Sequence, residues 1–157
     1  MNTGRQILID KTVVKAAAWV LNILVKTAGK IAPGKQDLKS PFTKIAVCKF
    51  KGLGSIIQST PLLQTLREQY PGAKIVFVSS KSNEQILRKI DAIDDVITIE
   101  DNNIKSLLQG IIPFIAKLFR GRFDVYIDLE VYSNFSSVVA ALANAQNRFG
   151  YYLKESN

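Results

Sequence analysis

From residue 44 onward, short apolar runs alternate with segments of helical periodicity, and this alternation constrains the fold more than any other feature. The runs "KIAVCKF" and "KIVFVSS" are almost wholly apolar, which is typical of parallel strands buried on both faces. Strands separated by helices imply right-handed crossover connections and an α/β fold. The predicted strands cover 44–50, 74–79, 95–99, 123–129 and 148–152, and the predicted helices cover 55–70, 82–90, 103–120 and 134–144.

This succession of elements predicts a Rossmann-like parallel sheet with strand order 3-2-1-4-5 and helices on both faces. In such a sheet, ligands bind at the carboxyl ends of the first and fourth strands, where the winding reverses. Within the helices, Ser82 is predicted to be an N-cap and Pro113 to bend or break the third helix.

The positive charge of the chain lies in its N-terminal third. Residues 1–51 contain ten Lys/Arg and two acids, whereas residues 52–157 contain eleven of each. A nucleic-acid-binding domain more often spreads its basic residues over the folded surface, so no nucleic-acid partner is predicted. The only cysteine, Cys48, is predicted to be a buried structural thiol. Because the chain has no histidine, it cannot supply Ser-His or Cys-His catalysis or a Cys/His zinc site, and no metal site is predicted.

Residues 7–30 have the pattern of one amphipathic helix, and 32–41 that of a linker, which divides the chain into 1–40 and 41–157. The apolar stretch of the helix is too short to cross a bilayer. A helix lying on an anionic membrane surface is expected, with packing on a protein domain as the alternative. The expected membrane contacts are Lys11, Lys15, Trp19 and Lys26.

The turn after the first strand, "KGLGS", is the first candidate site. Gly52 and Gly54 permit positive φ and close ligand approach, and a helix opening at Ser55 would offer N–H groups to a phosphate or carboxylate. The turn matches the Gly-x-Gly-x-x-Gly motif of dinucleotide-binding proteins poorly, because Ile57 stands in place of the third glycine and no acid follows the second strand. An NAD(P)-dependent oxidoreductase is therefore disfavoured, and a glycine turn without a ligand is the open alternative.

Two acids at the end of the fourth strand, Asp128 and Glu130, are the second candidate site. They lie at the end of the strand and just past it, so one of them should reach the cleft opposite the glycine turn. The alternative is a salt bridge, for example with Lys49 or Arg148, since an acid ending a central strand needs a function or a partner.

Five motifs follow one another from residue 44 to about 152. They comprise the opening strand and turn with a Ser/Thr-x-Pro in the first helix, a Leu-Arg followed by Tyr-Pro-x-Ala, a third-strand entry, a Tyr-Asp-like fourth strand and a closing Arg-x-Gly. The corresponding segments are "KIAVCKFKGLGS" with "STP", "LREQYPGA", "IDAIDDVITIE", "RFDVYIDLE" and "NAQNRFGYY". In this order the motifs resemble glycosyltransferase family 9, the lipopolysaccharide heptosyltransferase-like proteins.

The resemblance implies the N-terminal, acceptor-side half of a two-domain GT-B architecture and an inverting, metal-independent transfer. The family usually has an aspartate base after the second glycine, where this chain has Ser55, and a serine cannot replace that base unaided. Asp128 and Glu130 are the substitute carboxylates, and the expected catalytic set is Ser55, Asp128 and Glu130. The expected substrate-binding residues are Lys49, Lys51, Gly52, Gly54 and Ser59.

The implied function is glycosyltransferase activity in lipopolysaccharide biosynthesis. The enzyme would transfer a sugar from a nucleotide sugar such as ADP-heptose to an acceptor bound by this chain. The donor would be held mainly by a C-terminal domain or partner chain, and no further cofactor is expected. The acceptor would be a lipid-linked saccharide at the cytoplasmic face of the inner membrane, with the protein peripherally attached there. The alternative is a non-catalytic, membrane-attached saccharide-binding module that has lost its base.

Overall fold

Five parallel strands form one sheet in the order β3-β2-β1-β4-β5 in the computed structural model, which describes residues 38, 41–100, 103–131 and 133–151. The predicted α/β class and strand order are both confirmed. The strands are β1 (Lys44–Cys48), β2 (Lys74–Ser80), β3 (Asp95–Ile99), β4 (Val125–Asp128) and β5 (Asn147–Phe149).

Helices cover both faces of this sheet. They are α1 (Leu53–Gln58), α2 (Thr60–Gln69), α3 (Glu84–Leu87), α4 (Ile104–Gly121) and α5 (Asn134–Leu142), with a 3-10 turn at Lys81–Asn83. Alternate residues of β1 enter different cores. Ile45 and Val47 lie in a buried cluster with Ile56 and Leu63 from α1 and α2. The alternate β1 residues Ala46 and Cys48 lie in the other buried cluster, with residues of α4 and α5 that include Phe114, Leu118 and Val139.

Polar side chains tie the amino ends of the strands together. Asp124 accepts hydrogen bonds from the Thr43 N–H (2.7 Å), the Thr43 hydroxyl (2.8 Å) and the Lys44 N–H (2.9 Å). Arg67 donates to the Ala73 carbonyl (2.8 Å) and to Asp94 (2.6 Å). These bonds give structural roles to three charged residues of the sequence motifs, Arg67, Asp94 and Asp124.

Several predicted boundaries are wrong, for local reasons. The helix predicted over 55–70 begins at Leu53 and divides at Ser59, two residues before Pro61, which lacks an N–H for the helical hydrogen bonds. Ser82 is not an N-cap, because it lies inside the 3-10 turn. Of the bend or break predicted at Pro113, the break does not occur, because α4 continues to Gly121 and is anchored by the buried Phe114.

The amphipathic helix predicted at residues 7–30 lies outside the described residues, as do Lys11, Lys15, Trp19 and Lys26. Among the helices that the structure describes, none is both long enough and apolar enough to span a membrane.

Candidate functional site

The turn after β1 and the segment after β4 meet at the carboxyl edge of the sheet. β1 and β4 are adjacent and parallel, with Cys48 opposite Asp128 in the register. The chain leaves β1 toward one face and β4 toward the other, so this is the winding reversal at which α/β folds bind ligands. Residues 49–55 and 128–131 therefore form the candidate site.

Glu130 holds the turn from the β4 side. Its Oε1 accepts hydrogen bonds from the N–H groups of Phe50 and Lys51, both at 2.8 Å. Its Oε2 accepts from Lys49 Nζ at 3.1 Å, and the two side chains are only 10% and 12% exposed. The salt bridge with Lys49, one of the alternatives raised from the sequence, is thus present. Glu130 is also the acid that reaches the glycine turn.

Ser79 and Asn83 hold the same turn from the β2 side, and sequence reasoning missed both. The Ser79 hydroxyl donates to the Lys49 carbonyl (2.6 Å), and Asn83 Nδ2 donates to the Phe50 carbonyl (2.8 Å) and to Ser79 Oγ (3.0 Å). The available signal was the polar "SSKSN" ending an otherwise apolar strand, since polar groups buried at a strand end need partners.

Phe50 anchors the turn to the helices above it. Its side chain is 6% exposed and its ring lies 5.0 Å from that of Phe135 on α5 and 6.3 Å from that of Phe114 on α4, centroid to centroid. Residues 49 and 50 were predicted to continue the strand. Instead they leave it, with the backbone bonded to side chains on both sides.

Gly52 and Gly54 play different parts. Gly52 is the N-cap of α1 with φ +86°, and a Cβ there would lie 2.6 Å from Ser55 Oγ. Gly54 sits within α1, and a Cβ there would have no neighbour within 4 Å. Only Gly52 therefore uses the conformational freedom that both glycines were expected to supply.

The two serines of the expected set bond to backbone carbonyls. Ser55 is not at the helix opening but in the first turn of α1, where its hydroxyl donates to the Gly52 carbonyl (2.8 Å). Ser59 is buried, and its hydroxyl donates to the Ile56 carbonyl (2.6 Å). Both bonds are structural, and ligand contact or catalysis by these serines stays a prediction. Lys51, Gly52 and Gly54 are exposed at the edge of the cleft.

The environments of the two acids push their pKa values apart. Partial burial alone would raise the pKa of Glu130, but hydrogen bonds from the Lys51 N–H, the Lys49 ammonium and the Phe50 N–H lower it below its ordinary value. Burial raises the pKa of Asp128, against hydrogen bonds from the Glu130 N–H and the Ser136 side chain. Asp128 is therefore the more basic carboxylate of the pair.

Asp128 lies among buried groups at the end of β4. It is 7% exposed, and its Oδ1 accepts from the Glu130 N–H at 3.0 Å. Because β4 ends at Asp128, strand alternation does not govern the direction of Glu130. Cys48, opposite Asp128 in the register, is fully buried as predicted, and burial raises the pKa of its thiol well above the ordinary value. That shift leaves Cys48 a poor nucleophile.

No protein-family model matches the sequence, and no curated protein matches it. Solved structures with a similar fold include the family 9 glycosyl transferase from Veillonella parvula DSM 2008. It has a TM-score of 0.55 and 23% identity, over 64% of this chain and 29% of that one. Another is the ADP-heptose LPS heptosyltransferase II of E. coli, with a TM-score of 0.56 and 23% identity, over 69% of this chain and 30% of that one.

Each alignment covers less than one third of the solved chain. At this identity the likeness concerns the fold. It agrees with the resemblance that the five sequence motifs predicted, since both solved proteins are glycosyltransferases of the kind named there. The described part of the chain therefore has a glycosyltransferase-like fold, similar to that of a family 9 glycosyl transferase and of a heptosyltransferase.

Proposed function

We propose that this chain is the acceptor-side part of a heptosyltransferase-like glycosyltransferase of GT-B architecture. The observation that carries the proposal is the fold likeness to two solved glycosyltransferases. The held turn at residues 49–55 supports it, because a rigid, exposed backbone at the winding reversal is suited to orienting a ligand. The sugar donor, a nucleotide sugar such as ADP-heptose, would be bound mainly by a C-terminal domain or a partner chain.

In the proposed reaction, an acceptor hydroxyl oxygen attacks the anomeric carbon of the donor while the bond to the nucleoside diphosphate breaks. The hydroxyl proton passes to a carboxylate of this chain. We assign that role to Asp128, because burial raises its pKa, whereas three hydrogen bonds lower the pKa of Glu130 and occupy both of its oxygens. Glu130 and Lys49 would keep the turn in place, and the exposed Lys51 would contact anionic groups of the acceptor.

The proposed acceptor is a lipid-linked saccharide of lipopolysaccharide biosynthesis at the cytoplasmic face of the inner membrane. Residues 7–30 would lie on that membrane, with Lys11, Lys15 and Lys26 toward anionic headgroups and Trp19 at the interface. The concentration of positive charge in residues 1–51 supports this attachment.

A second function, saccharide binding without catalysis, has an observation in its favour. Ser55 stands where the resembled family has a carboxylate, and its hydroxyl is bonded to the Gly52 carbonyl. If Asp128 does not take part in chemistry, the chain retains a formed acceptor turn with no base beside it.

Transfer by the chain joined to a C-terminal donor domain tests the assignment. With ADP-heptose and a lipid-linked acceptor, Asp128→Asn should lower kcat by roughly 100-fold or more, the usual scale for a lost general base. The exposed Asp91 provides a matched control, and Asp91→Asn should leave transfer unchanged. Acceptor binding without any transfer by the unsubstituted protein would favour the binding module, and neither binding nor transfer would refute both functions.

A further inference from the structure

The long helix α4 has a second apolar face that is largely exposed among the described residues. Its buried side is anchored by Phe114 and Leu118. On the outside, Leu108, Ile112 and Phe119 are 52%, 76% and 56% exposed. Their spacings of four and seven residues are about one and two helical turns, so they form one stripe along the helix. A solvent-facing helix side is ordinarily polar, and a row of large exposed apolar side chains indicates a contact surface.

The same helix carries basic residues near both of its ends and no acid. Residues 102–123 contain no acid and four basic residues, Lys105, Lys117, Arg120 and Arg122. The surrounding chain is balanced, with eleven acids and eleven basic residues over 52–157, so this segment stands apart. None of the ion pairs found among the described residues involves these four side chains.

A basic cavity lies at the carboxyl end of the stripe. Its volume is about 240 Å³, and its lining includes Lys44, Lys74, Lys117 and Arg120 with one carboxylate, Asp95. Lys74 pairs with Asp95 at 3.4 Å. The position of Lys117 and Arg120 near the helix C-terminus complements the helix dipole, but Lys44 and Lys74 come from the sheet. Lys44 lies over the Phe123 ring, 5.5 Å from its centroid. Lys117 and Arg120 are thus the cavity cations contributed by α4, and they make no ion pair among the described residues.

We propose that α4 docks on an anionic membrane surface. Leu108, Ile112 and Phe119 enter the interface, and the basic side chains around the stripe and in the cavity bind lipid phosphates. Apolar side chains flanked by lysine and arginine, with no acid among them, are the composition of interfacial helices. A second copy of the chain fits poorly, because a symmetric contact through this face would set basic residues against basic residues.

This proposal does not depend on the proposed transferase activity. A membrane contact through α4 would orient the sheet relative to the lipid surface. A tether at residues 7–30 alone leaves that orientation open.

A tryptophan introduced at position 119 of the full chain tests whether that position contacts the membrane. Phe119→Trp in a Trp19→Phe background should give a blue-shifted emission with vesicles of phosphatidylcholine and phosphatidylglycerol, and nitroxide-labelled lipid should quench it. The matched control is Tyr151→Trp in the same background, since Tyr151 is 64% exposed and follows β5, at the opposite edge of the sheet from β3, on which α4 packs. It should be neither shifted nor quenched.

Charge variants test the lipid phosphates. Lys117→Gln with Arg120→Gln should lower the vesicle partition coefficient roughly thirtyfold, from the usual contribution of a basic residue at an anionic surface. Lys81→Gln with Lys89→Gln removes the same charge at positions outside α4, and this pair should change the vesicle partition coefficient much less. Ile112→Ser should weaken binding roughly tenfold through lost apolar contact.

The proposal is overturned if position 119 is unquenched while the protein is vesicle-bound, or if both charge pairs have the same effect. It is equally overturned if vesicles of phosphatidylcholine alone bind as well, or if none bind. A dimer in solution that Ile112→Ser abolishes would assign the stripe to a second copy instead. The transfer assay is independent of these measurements, so failure of one leaves the other standing.

Discussion

Replacing Glu130 with glutamine should destabilise the fold, because that carboxylate joins three donors of the turn after β1. Glutamine keeps the length of the side chain and one carbonyl oxygen for the Phe50 and Lys51 N–H groups. It removes the negative charge, and its amide NH₂ would face the Lys49 ammonium, which lies 3.1 Å from Oε2. A donor facing a cation leaves Lys49 without its counterion in a site that is largely shielded from water.

The magnitude follows from these contacts. A hydrogen bond to a charged group contributes about 1.5–3 kcal/mol and a neutral one about 0.5–1.5, so each of three bonds loses about 1 kcal/mol. Lys49 keeps one contact, to the Leu129 carbonyl at 3.3 Å. We therefore expect Glu130→Gln to lower the free energy of unfolding by about 2–4 kcal/mol at neutral pH, near the range for breaking a buried ion pair.

Urea denaturation at two pH values measures this effect and its electrostatic origin. The pKa of Glu130 is lowered by folding, so its stabilisation is complete above the unfolded pKa of about 4.3 and is lost as pH falls through the folded value. Glutamine does not titrate. The difference between the two proteins should therefore be largest at neutral pH and shrink as the pH falls below about 4.

A double-mutant cycle separates the ion pair from the backbone contacts. Lys49→Met alone leaves the carboxylate with its two N–H donors, and Lys49→Met with Glu130→Gln should cost less than the sum of the single changes. Equal stability of Glu130→Gln and the unsubstituted protein at neutral pH would refute the reasoning, as would a loss that is the same at every pH.

Four further substitutions test the same site. Gly52→Ala should lower the free energy of unfolding by about 1–3 kcal/mol, because of the left-handed φ and the clash with Ser55 Oγ. Gly54→Ala should be neutral or mildly stabilising, and thermal unfolding of the two variants compares them. Asp128→Asn should be neutral or stabilising near pH 7. Folding raises the pKa of Asp128, so its charged form lowers the free energy of unfolding at pH values above the folded pKa. This destabilisation, and with it the gain from Asp128→Asn, should vanish as the pH falls to about 4. Urea titrations showing the opposite trend would contradict this. Ser55→Asp should maintain or raise transfer in the protein joined to a donor domain, and a loss of activity with the fold intact would count against an acceptor site at this turn.

The sheet was predictable because its signal is local. Runs such as "IAVC" and "IVFV" are apolar at every position, as strands buried on both faces must be, and both cores receive alternate residues of β1. The boundaries were less predictable because distant groups set them. β1 ends at Cys48 although Phe50 is apolar, since the backbone of Lys49 and Phe50 is bonded by side chains some 30 residues away on the β2 side and 80 away on the β4 side.

The candidate site was only partly predictable for the same reason. Sequence reasoning found the glycine turn, the two acids and the option of a Lys49–Glu130 pair. It could not say which glycine takes a positive φ, since "KGLGS" allows the helix to begin after either. It also missed Ser79 and Asn83, whose partners become visible only once β2 is placed beside β1. The catalytic and binding roles of the expected residues stay predictions.

The bond made by Ser55 gives a physical reason for a serine where a carboxylate was expected. Its hydroxyl donates to the Gly52 carbonyl at 2.8 Å, within the turn that Glu130 also holds through the adjoining backbone N–H groups. An aspartate has no proton to donate there, and its charge would be repelled by the carbonyl oxygen, so its side chain would rotate away from Gly52. The first turn of a helix favours a negative charge, so such a residue would be tolerated as a free carboxylate. The serine therefore helps to hold the turn. Under the proposed function, proton transfer would fall to another group, and Asp128, whose pKa is raised by burial, is the carboxylate proposed for it.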